Sequence, residues 1–434
     1  MKPEVYIKDL EKFVDREVTI YGWIYNIRSS GKVRFLLVRD GTGIVQCVAT
    51  PQSISPGKFE GSDKIPQESS IIVRGKVRKD SRAPYCGYEI ELTDYNVVSY
   101  VEREYPIALK EHGIDFLMNH RHLWIRSYQQ SIILRIRATI VKSIRDFFDS
   151  NGFILVDAPI FTPNACEGTS TLFETNYFDT KAYLTQSGQL YMEAAAMALG
   201  KVYCFGPTFR AEKSKTRRHL TEFWMVEPEM AYYDLEDDME VAEGLVSYII
   251  ETVLLKHENE LIVLGRNVDN LRKASKRPFY RIKYAEAVEL LRKAGHDIKY
   301  GDDFGGDEET TLTKQFDKPV FVTHYPIEIK AFYMKRDPND PSLALNMDLL
   351  APEGYGEIIG GGQREDNLQI LLESIKKHNL PQNVFEWYLD LRRYGSVPHS
   401  GFGLGVERTI AYICGLHHVR ETIPFPRLMD RLNP

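Results

Sequence analysis

The residues best suited to do chemistry lie between positions 203 and 231. An apolar run that ends near Arg210 is followed by a polar segment, and a second apolar run begins at Phe223. The polar segment carries four cations, Lys213, Lys215, Arg217 and Arg218. This order predicts a β-hairpin with a cationic turn, whose first strand carries Arg210 and Glu212 on one face. Because arginine offers a planar fork of donors, the hairpin suits a polyanion such as a nucleoside triphosphate; a solvated surface hairpin is the alternative.

Two distant segments favour the ligand-binding interpretation. In residues 401–408, glycines alternate with apolar residues before Arg408, which begins an apolar run predicted to be helical. Alternating glycines let the backbone approach a ligand, and the start of the helix would direct Arg408 toward the same space. The other segment, residues 127–161, begins with isoleucines at helical spacing and continues into a β-prone run that ends at Pro159.

The elements that must position these residues occupy most of the chain. Residues 17–98 contain five short β-prone runs separated by polar turns, which predicts a small closed barrel of the oligonucleotide-binding type. Residues 103–125 have mixed polarity and are predicted to be a hinge. We therefore expect a barrel domain at 1–102, the hinge at 103–125 and a larger domain at 126–434. The acidic run at 234–240 predicts a solvated surface helix.

Composition excludes several classes of protein. The chain has 434 residues, 43% hydrophobic and 27% charged, with a net charge of −6, which fits an ordinary globular protein rather than a uniformly basic nucleic-acid coat. The sequence contains no apolar run of the ~20 residues that a membrane helix needs, and its start lacks the apolar core of a signal peptide. The five cysteines are scattered, which predicts reduced thiols in a cytoplasmic protein and argues against a structural zinc.

Taken in order, segments 127–161, 203–231 and 401–413 resemble motifs 1, 2 and 3 of the class II aminoacyl-tRNA synthetases. The resemblance extends over nearly the whole chain and is closest to the asparaginyl enzymes of the short archaeal type, in subclass IIb. It implies an N-terminal five-stranded OB-fold barrel and an α+β catalytic domain built on a mostly antiparallel sheet. It also implies a C2 homodimer formed through the motif 1 helix.

The resemblance assigns a nucleotide site with Mg²⁺. Arg210 and Arg408 would be the catalytic residues, with Arg210 bridging the amino-acid carboxylate and the α-phosphate and Arg408 holding the γ-phosphate. The implied ATP-binding residues are Arg210, Glu212, Arg218, His219, Leu220, Phe223, Glu357, Gly405 and Arg408. The implied metal site is Asp348, Glu357 and Gly360, where glycine replaces a serine common in aspartyl enzymes.

The resemblance also assigns the amino-acid pocket to Glu167, Gln189, Met192, Arg210, Glu227 and Arg364. Aspartyl enzymes carry a lysine in the motif QSxQLYK, and this chain has Met192 there. Glu227 stands where aspartyl enzymes usually have aspartate and can accept a hydrogen bond from an amide. In a dry pocket, the lost ion pair together with the like-charge contact to Glu227 would disfavour aspartate relative to asparagine by several kcal/mol, an order-of-magnitude inference. The alternative is that Met192 only packs in the core.

In the barrel, the resemblance implies that Phe35 stacks on an anticodon base while Gln46 reads its edge, and that Glu89 contacts a third base. Core filling is the alternative for Phe35.

The implied function is asparagine–tRNA ligase: L-asparagine is activated with ATP to asparaginyl-AMP and transferred to tRNA(Asn). The alternatives are an aspartyl enzyme, including a non-discriminating one, a paralogue without charging activity, and a paralogue that makes asparagine from aspartate.

Overall fold

A computed structural model describes residues 2–163 and 171–433. The chain divides into two compact units between Ser131 and Ile132. The domain limits expected at residues 102 and 125 remain predictions. Within the described ranges, no helix combines the length and the apolarity needed to cross a membrane.

The first unit is built on five strands, β1 (Glu17–Ser30), β2 (Val33–Arg39), β3 (Ile44–Ala49), β4 (Ser70–Lys79) and β5 (Tyr88–Ser99). They close into a barrel in the order β1-β2-β3-β5-β4, antiparallel except between β3 and β5. Alternate residues such as Val18 and Ile20 point into its core. The helices of this unit are α1 (Pro56–Gly61), α2 (Ile114–Asn119) and α3 (Arg121–Trp124). The predicted OB-type barrel is confirmed.

The strands of the second unit are β6 (Ile154–Leu155), β7 (Phe161–Thr162), β8 (Glu174–Tyr177), β9 (Thr180–Leu184), β10 (Lys201–Phe209), β11 (Glu222–Ala231), β12 (Tyr280–Lys283), β13 (Val320–Thr323), β14 (Asn346–Ala351), β15 (Gly356–Gln363) and β16 (His399–Gly405). Eight of them form one sheet in the order β12-β13-β14-β15-β16-β11-β10-β6. The pairing is antiparallel except between β12 and β13 and between β10 and β6. The predicted mostly antiparallel sheet is therefore confirmed.

The predicted hairpin consists of β10 and β11, which pair antiparallel from Lys201 opposite Met230 to Phe209 opposite Glu222. One expectation about it is wrong. β10 ends at Phe209, so Arg210 and Glu212 follow the strand instead of alternating along it. Arg210 stays attached to the hairpin because its backbone N–H donates to the carbonyl oxygen of Thr221 at 3.0 Å.

The longer helices of the second unit are α4 (Tyr128–Ser150), α5 (Gln189–Leu199), α6 (Leu235–Val263), α7 (Val268–Ala274), α8 (Tyr284–Lys293), α9 (Gly306–Thr313), α10 (Leu368–Lys377), α11 (Glu386–Arg393) and α12 (Val406–Cys414). The amphipathic helix predicted near residues 127–150 is α4, and its isoleucines, including Ile132 and Ile136, are buried. Arg408 lies in the first turn of α12, directly after β16, as predicted.

The interpretation of the acidic run as a solvated helix is wrong. Asp234 caps α6 by accepting hydrogen bonds from the backbone N–H groups of Glu236 and Asp237, because acidic residues suit the positive end of a helix. Beyond this first turn the helix is largely buried, and even the side chain of Asp238 has no exposed surface. The acidic residues therefore indicated an exposed first turn correctly, but they did not predict the burial of the rest of the helix.

Candidate active site

Two neighbouring cavities lie where β11, β15 and β16 meet in the sheet. Eight of the predicted ATP-binding residues line the first cavity, namely Arg210, Arg218, His219, Leu220, Phe223, Glu357, Gly405 and Arg408. Glu212 lines a small adjoining pocket that shares Arg210, His219 and Leu220 with it. The nine residues, drawn from three distant segments, are therefore brought together.

The second cavity collects the predicted metal and amino-acid residues. Its wall includes Gln189, Arg210, Glu227, Asp348, Glu357, Gly360 and Arg364. Arg210 and Glu357 also line the first cavity, so a ligand in either cavity meets the same arginine and the same carboxylate. Among the described residues, Arg210 Nε has no hydrogen-bond partner, and the guanidinium lies over the ring of Phe223 at 5.5 Å.

Arg408 is held by Glu357. Its Nη1 donates to Glu357 Oε2 at 2.8 Å and to the Glu357 carbonyl oxygen at 3.1 Å. Burial opposes ionisation of Glu357, but the charges of Arg408 and Arg210 outweigh burial and lower the pKa of the carboxyl group. The carboxylate is therefore ionised, and Arg408 anchors it.

Asp348 lies opposite Gly360 in the pairing of β14 with β15. A Cβ atom at Gly360 would lie 2.8 Å from Glu357 Oε1 and 3.7 Å from Asp348 Oδ1, so the two carboxylates flank one small space that glycine keeps open. Asp348 accepts a hydrogen bond from Lys330 Nζ at 2.9 Å. Burial and the neighbouring Glu357 raise the pKa of Asp348, and Lys330 opposes that rise.

Arg218 of the hairpin loop is bound to α9. Its Nη1 donates to Glu309 Oε2 at 2.8 Å, and its Nη2 donates to Thr310 Oγ1 at 2.6 Å and to the Gly354 carbonyl oxygen at 2.8 Å. Burial raises the pKa of Glu309 to about 7, and the charge of Glu357 acts in the same direction.

Arg364 forms a bidentate ion pair with Glu229 on β11. Arg364 Nε lies 3.0 Å from Glu229 Oε1, and Nη2 lies 2.9 Å from Oε2. Both side chains are almost fully buried, at 2% and 1% exposure, so the pair is rigid and screened from water. Glu229 occupies one edge of the guanidinium through two of its donors, and the side chain still lines the second cavity.

Glu227 accepts hydrogen bonds at the N-terminus of α5. Its Oε2 accepts from the backbone N–H of Gly188 at 2.8 Å, and its Oε1 accepts from the hydroxyl of Ser187. The next residue, Gln189, begins α5, lines the second cavity and donates from Nε2 to Glu193 Oε1 at 3.1 Å. Glu227 thus fixes the turn that presents Gln189.

One predicted pocket residue, Met192, does not line the described cavities. Met192 is 1% exposed and packs in a core cluster with Ala196, Val202 and Cys204, away from the described cavity walls. The direct contact proposed for Met192 is therefore not supported, because α5 turns this side chain into the core. Glu167 lies outside the described residues.

The three predicted base-contacting residues meet on one face of the barrel. Gln46 lies beside Glu89 where β3 pairs with β5, and its Nε2 donates to Glu89 Oε2 at 3.3 Å. Arg28, which the sequence did not single out, donates from Nη2 to Gln46 Oε1 at 3.0 Å and lies over the ring of Phe35 at 5.9 Å. The face therefore combines an aromatic ring, an amide, an anion and a cation.

Sequence reasoning also missed Glu229, Lys330 and Glu309. Glu229 follows Glu227 by two residues on β11, so the period of a strand could have placed both on one face. Lys330 follows a short turn of 3-10 helix at Ile327–Ile329. Glu309 lies on an eight-residue helix in a segment with no recognised motif. No sequence signal marked the last two.

Comparison with known proteins agrees with this geometry. Residues 113–429 match the family model of class II tRNA synthetases (D, K and N), and residues 18–98 match that of the OB-fold nucleic acid binding domain. The asparagine–tRNA ligase of Sorangium cellulosum (strain So ce56) is 57% identical over 445 residues, covering 100% of this chain and 99% of the relative.

Two further relatives extend the comparison. The asparagine–tRNA ligase of Desulforamulus reducens is 57% identical over 428 residues, covering 99% of each chain. The solved structure of asparaginyl-tRNA synthetase from Pyrococcus horikoshii complexed with asparaginyl-adenylate superposes with a TM-score of 0.95 at 46% identity, over 100% of both chains. The likeness therefore covers both units.

Proposed function

Because the chain belongs to the class II tRNA synthetases of the aspartate, lysine and asparagine group, we propose that it activates L-asparagine with ATP and transfers the asparaginyl group to tRNA(Asn). It is thus a ligase that joins an amino acid to RNA in two steps, through asparaginyl-AMP. Full-length likeness to asparagine–tRNA ligases favours this substrate over aspartate.

The observation that carries the proposal is the position of Arg210. It lines both cavities, so it can contact the amino-acid carboxylate in the second cavity and the α-phosphate in the first. When the carboxylate oxygen attacks the α-phosphorus and pyrophosphate leaves, negative charge moves between these two groups. A guanidinium at their junction aligns the reactants and stabilises that charge.

In this proposal the other first-cavity residues bind the rest of ATP. Phe223 stacks on the adenine ring, Glu212 accepts from its amino group, and Arg408 contacts the γ-phosphate from the start of α12. Arg218 and His219 contact the distal phosphates from the hairpin loop, while Leu220 and Gly405 shape the wall. Arg218 and Arg408, each held by protein partners, suit a triphosphate because their orientation costs little on binding.

Mg²⁺ fits the space between Asp348 and Glu357. Hard carboxylate oxygens are its preferred protein ligands, and the separations measured at Gly360 put both carboxylates beside one opening. Gly360 supplies room rather than a ligand atom. A bound Mg²⁺ would neutralise phosphate charge, while Lys330 and Arg408 keep the two carboxylates oriented.

The pocket chemistry favours an amide over a carboxylate side chain. The charge of Arg364 is already balanced by Glu229, and Glu227 adds an anion to the wall. The side-chain carboxylate of an aspartate substrate would face Glu227 without a cation of its own. The side-chain amide of asparagine can instead accept a hydrogen bond from Arg364 and donate one to Glu227. Gln189, together with Glu167, would hold the substrate's α-amino group. Met192 affects substrate choice indirectly, because it replaces the lysine of aspartyl enzymes and so places no cation in the pocket.

The barrel face would bind the anticodon. A partly exposed Phe35 offers a stacking surface, and Gln46, fixed by Arg28, offers an amide edge for an unpaired base. Glu89 contacts Gln46 and is available for the neighbouring base.

A homodimer is proposed from the apolar surface that follows α4. Ile154 and Leu155 on β6 are 46% and 40% exposed, and Phe161 on β7 is 51% exposed. β6 is also the last strand of the eight-stranded sheet. Exposed apolar residues at a sheet edge are typical of an association surface. Sedimentation velocity should give twice the chain mass of 50.0 kDa.

The deciding experiment is ATP–pyrophosphate exchange by the purified protein with asparagine or aspartate. We expect exchange with asparagine and little with aspartate. Exchange mainly with aspartate would keep the family and overturn the substrate. Exchange with neither would contradict the proposed activity.

A further inference from the structure

Glu309 connects two parts of the first cavity that are far apart in sequence. Its Oε2 accepts from Arg218 Nη1 at 2.8 Å and from the backbone N–H of Glu357 at 2.9 Å. One carboxylate oxygen thus joins the loop of the β10–β11 hairpin to the beginning of β15. The ion pair is largely shielded from water, with side-chain exposures of 11% for Arg218 and 15% for Glu309.

The residue between these partners is shaped for the contact. Gly356 has a φ of +78°, and a Cβ atom there would lie 2.1 Å from Glu309 Oε2 and 2.6 Å from Arg218 Nη1. Any larger residue would be strained by the backbone and would also separate the two charged groups. Glycine at this position therefore permits the contact.

The contacts engage both terminal nitrogens of the Arg218 guanidinium. Glu309 takes one donor, and Thr310 and the carbonyl oxygen of Gly354 take two more. A guanidinium has five N–H donors, so the group keeps donors for a ligand in the cavity that it lines. A side chain fixed in this way loses little conformational freedom when an anion binds.

We propose that Glu309 is a positioning residue that orients Arg218 for the phosphates of ATP, an inference that rests on the proposed function. Glu309 touches neither substrate. It acts through Arg218, whose long side chain would otherwise sample many rotamers above the cavity. Thr310 supports the same orientation from the next position of α9.

The test compares Glu309→Gln with a matched control, Glu308→Gln. Glutamine keeps the shape of Glu309 and its acceptor for the Glu357 N–H but removes the charge that holds Arg218. Glu308 precedes it on the same helix and faces His296, with a carboxylate-to-imidazole distance of 3.3 Å. ATP binding is measured by calorimetry with Mg²⁺ at about pH 8.5, where Glu309 is ionised, and KM values for ATP and asparagine are measured by pyrophosphate exchange at the same pH.

Glu309→Gln is expected to weaken ATP binding and raise the KM for ATP about tenfold, the usual size of a lost charge-assisted bond. The KM for asparagine and the midpoint of thermal unfolding should stay near the wild-type values, and Glu308→Gln should behave as wild type. Thr310→Val, which removes one acceptor from Arg218, should give a smaller change of the same kind.

Three results would overturn the proposal: unchanged ATP binding, tighter ATP binding, or equal losses for ATP and asparagine. A double-mutant cycle adds a decisive check, because Glu309→Gln should have no further effect on ATP binding in an Arg218→Ala background. Calorimetry reports on nucleotide binding even if wild type exchanges no asparagine, so this proposal and the proposed function can fail separately.

Discussion

The two candidate binding regions are built differently. In the catalytic unit, the charged side chains of the cavities already have close partners: Arg364 pairs with Glu229, Arg408 with Glu357 and Lys330 with Asp348, at 2.8 to 2.9 Å. On the barrel face, Gln46 and Glu89 are 3.3 Å apart, and Arg28 lies 5.9 Å from the centre of the Phe35 ring. The charged groups of the first region are fixed in short ion pairs, whereas the second region combines a buried amide, Gln46, with the partly exposed Phe35 and Glu89 and the exposed Arg28.

This difference fits the two tasks. Activation of an amino acid needs charges that do not reorganise as the reaction proceeds, so the site is completed before substrate arrives. An unpaired base must be captured from a flexible loop, and partly exposed side chains can adjust to it. Substitutions should therefore lower activity most in the catalytic cavities and least at the edge of the barrel face.

The largest effect is expected from Arg408→Ala, which removes a cation fixed by two contacts to Glu357. Pyrophosphate exchange should fall on the order of a thousandfold, as for other arginines that stabilise phosphoryl transfer. Arg393→Ala, at a surface arginine paired with Asp390, is the control. Normal exchange by Arg408→Ala with an intact fold would remove this residue from the site.

A second substitution, Glu229→Gln, leaves the buried Arg364 without its counter-charge. Stability in urea should fall by about 3 kcal/mol, and the KM for asparagine should rise about a hundredfold. Glu236→Gln, at an exposed pair with Arg281, should change stability by less than about 1 kcal/mol. Equal changes in the two variants would mean that burial does not distinguish these pairs.

On the barrel, Phe35→Ala should lower the efficiency of tRNA charging about tenfold by removing a stacking surface. Pyrophosphate exchange should stay unchanged, because amino-acid activation does not involve the barrel. Trp23→Ala, at an aromatic residue 39% exposed elsewhere on the barrel, serves as the control. A parallel loss in charging and exchange would contradict the base-stacking role.

The smallest effect is expected from Arg28→Ala. Its exposed side chain holds Gln46 through one hydrogen bond, so charging should fall about two- to threefold. Arg82→Ala, at an exposed arginine paired with Asp80, is the matched control. A loss larger than that of Phe35→Ala would reverse the ranking and make the cation the main contact of this face.

Local pattern was enough to predict the scaffold. Alternating apolar residues predicted the five barrel strands and the β10–β11 hairpin, and 3.6-residue spacing predicted α4, because each pattern reports burial on one face. The acidic start of α6 led to the wrong prediction of a solvated helix, because a run of charges does not report whether the rest of the helix is buried. Its first turn reflects the helix dipole, while the burial of Asp238 depends on packing far along the chain.

The partners of the site residues could not be predicted in the same way. Glu229 and Arg364 are 135 residues apart, and Arg218 and Glu309 are 91 apart, so each pair exists only once the sheet and α9 are assembled. Motif resemblance identified Arg218 and Arg364 without Glu309 and Glu229, the carboxylates that orient them. Met192 is an example. The motif identifies the residue type at this position, but the orientation of α5 determines that the side chain points into the core.

The hydrogen bonds of Glu227 have a consequence for redesign. This carboxylate faces the second cavity and also secures the turn at Ser187 and Gly188 from which α5 begins. A Cβ atom at Gly188 would lie 2.6 Å from Cys204 Sγ and 3.3 Å from Glu227 Oε2, so the turn has no spare room. Glu227 therefore affects both the substrate preference and the start of α5. A redesign that changes the preferred substrate from asparagine to aspartate by replacing Glu227 also has to restore the hydrogen bonds at Ser187 and Gly188.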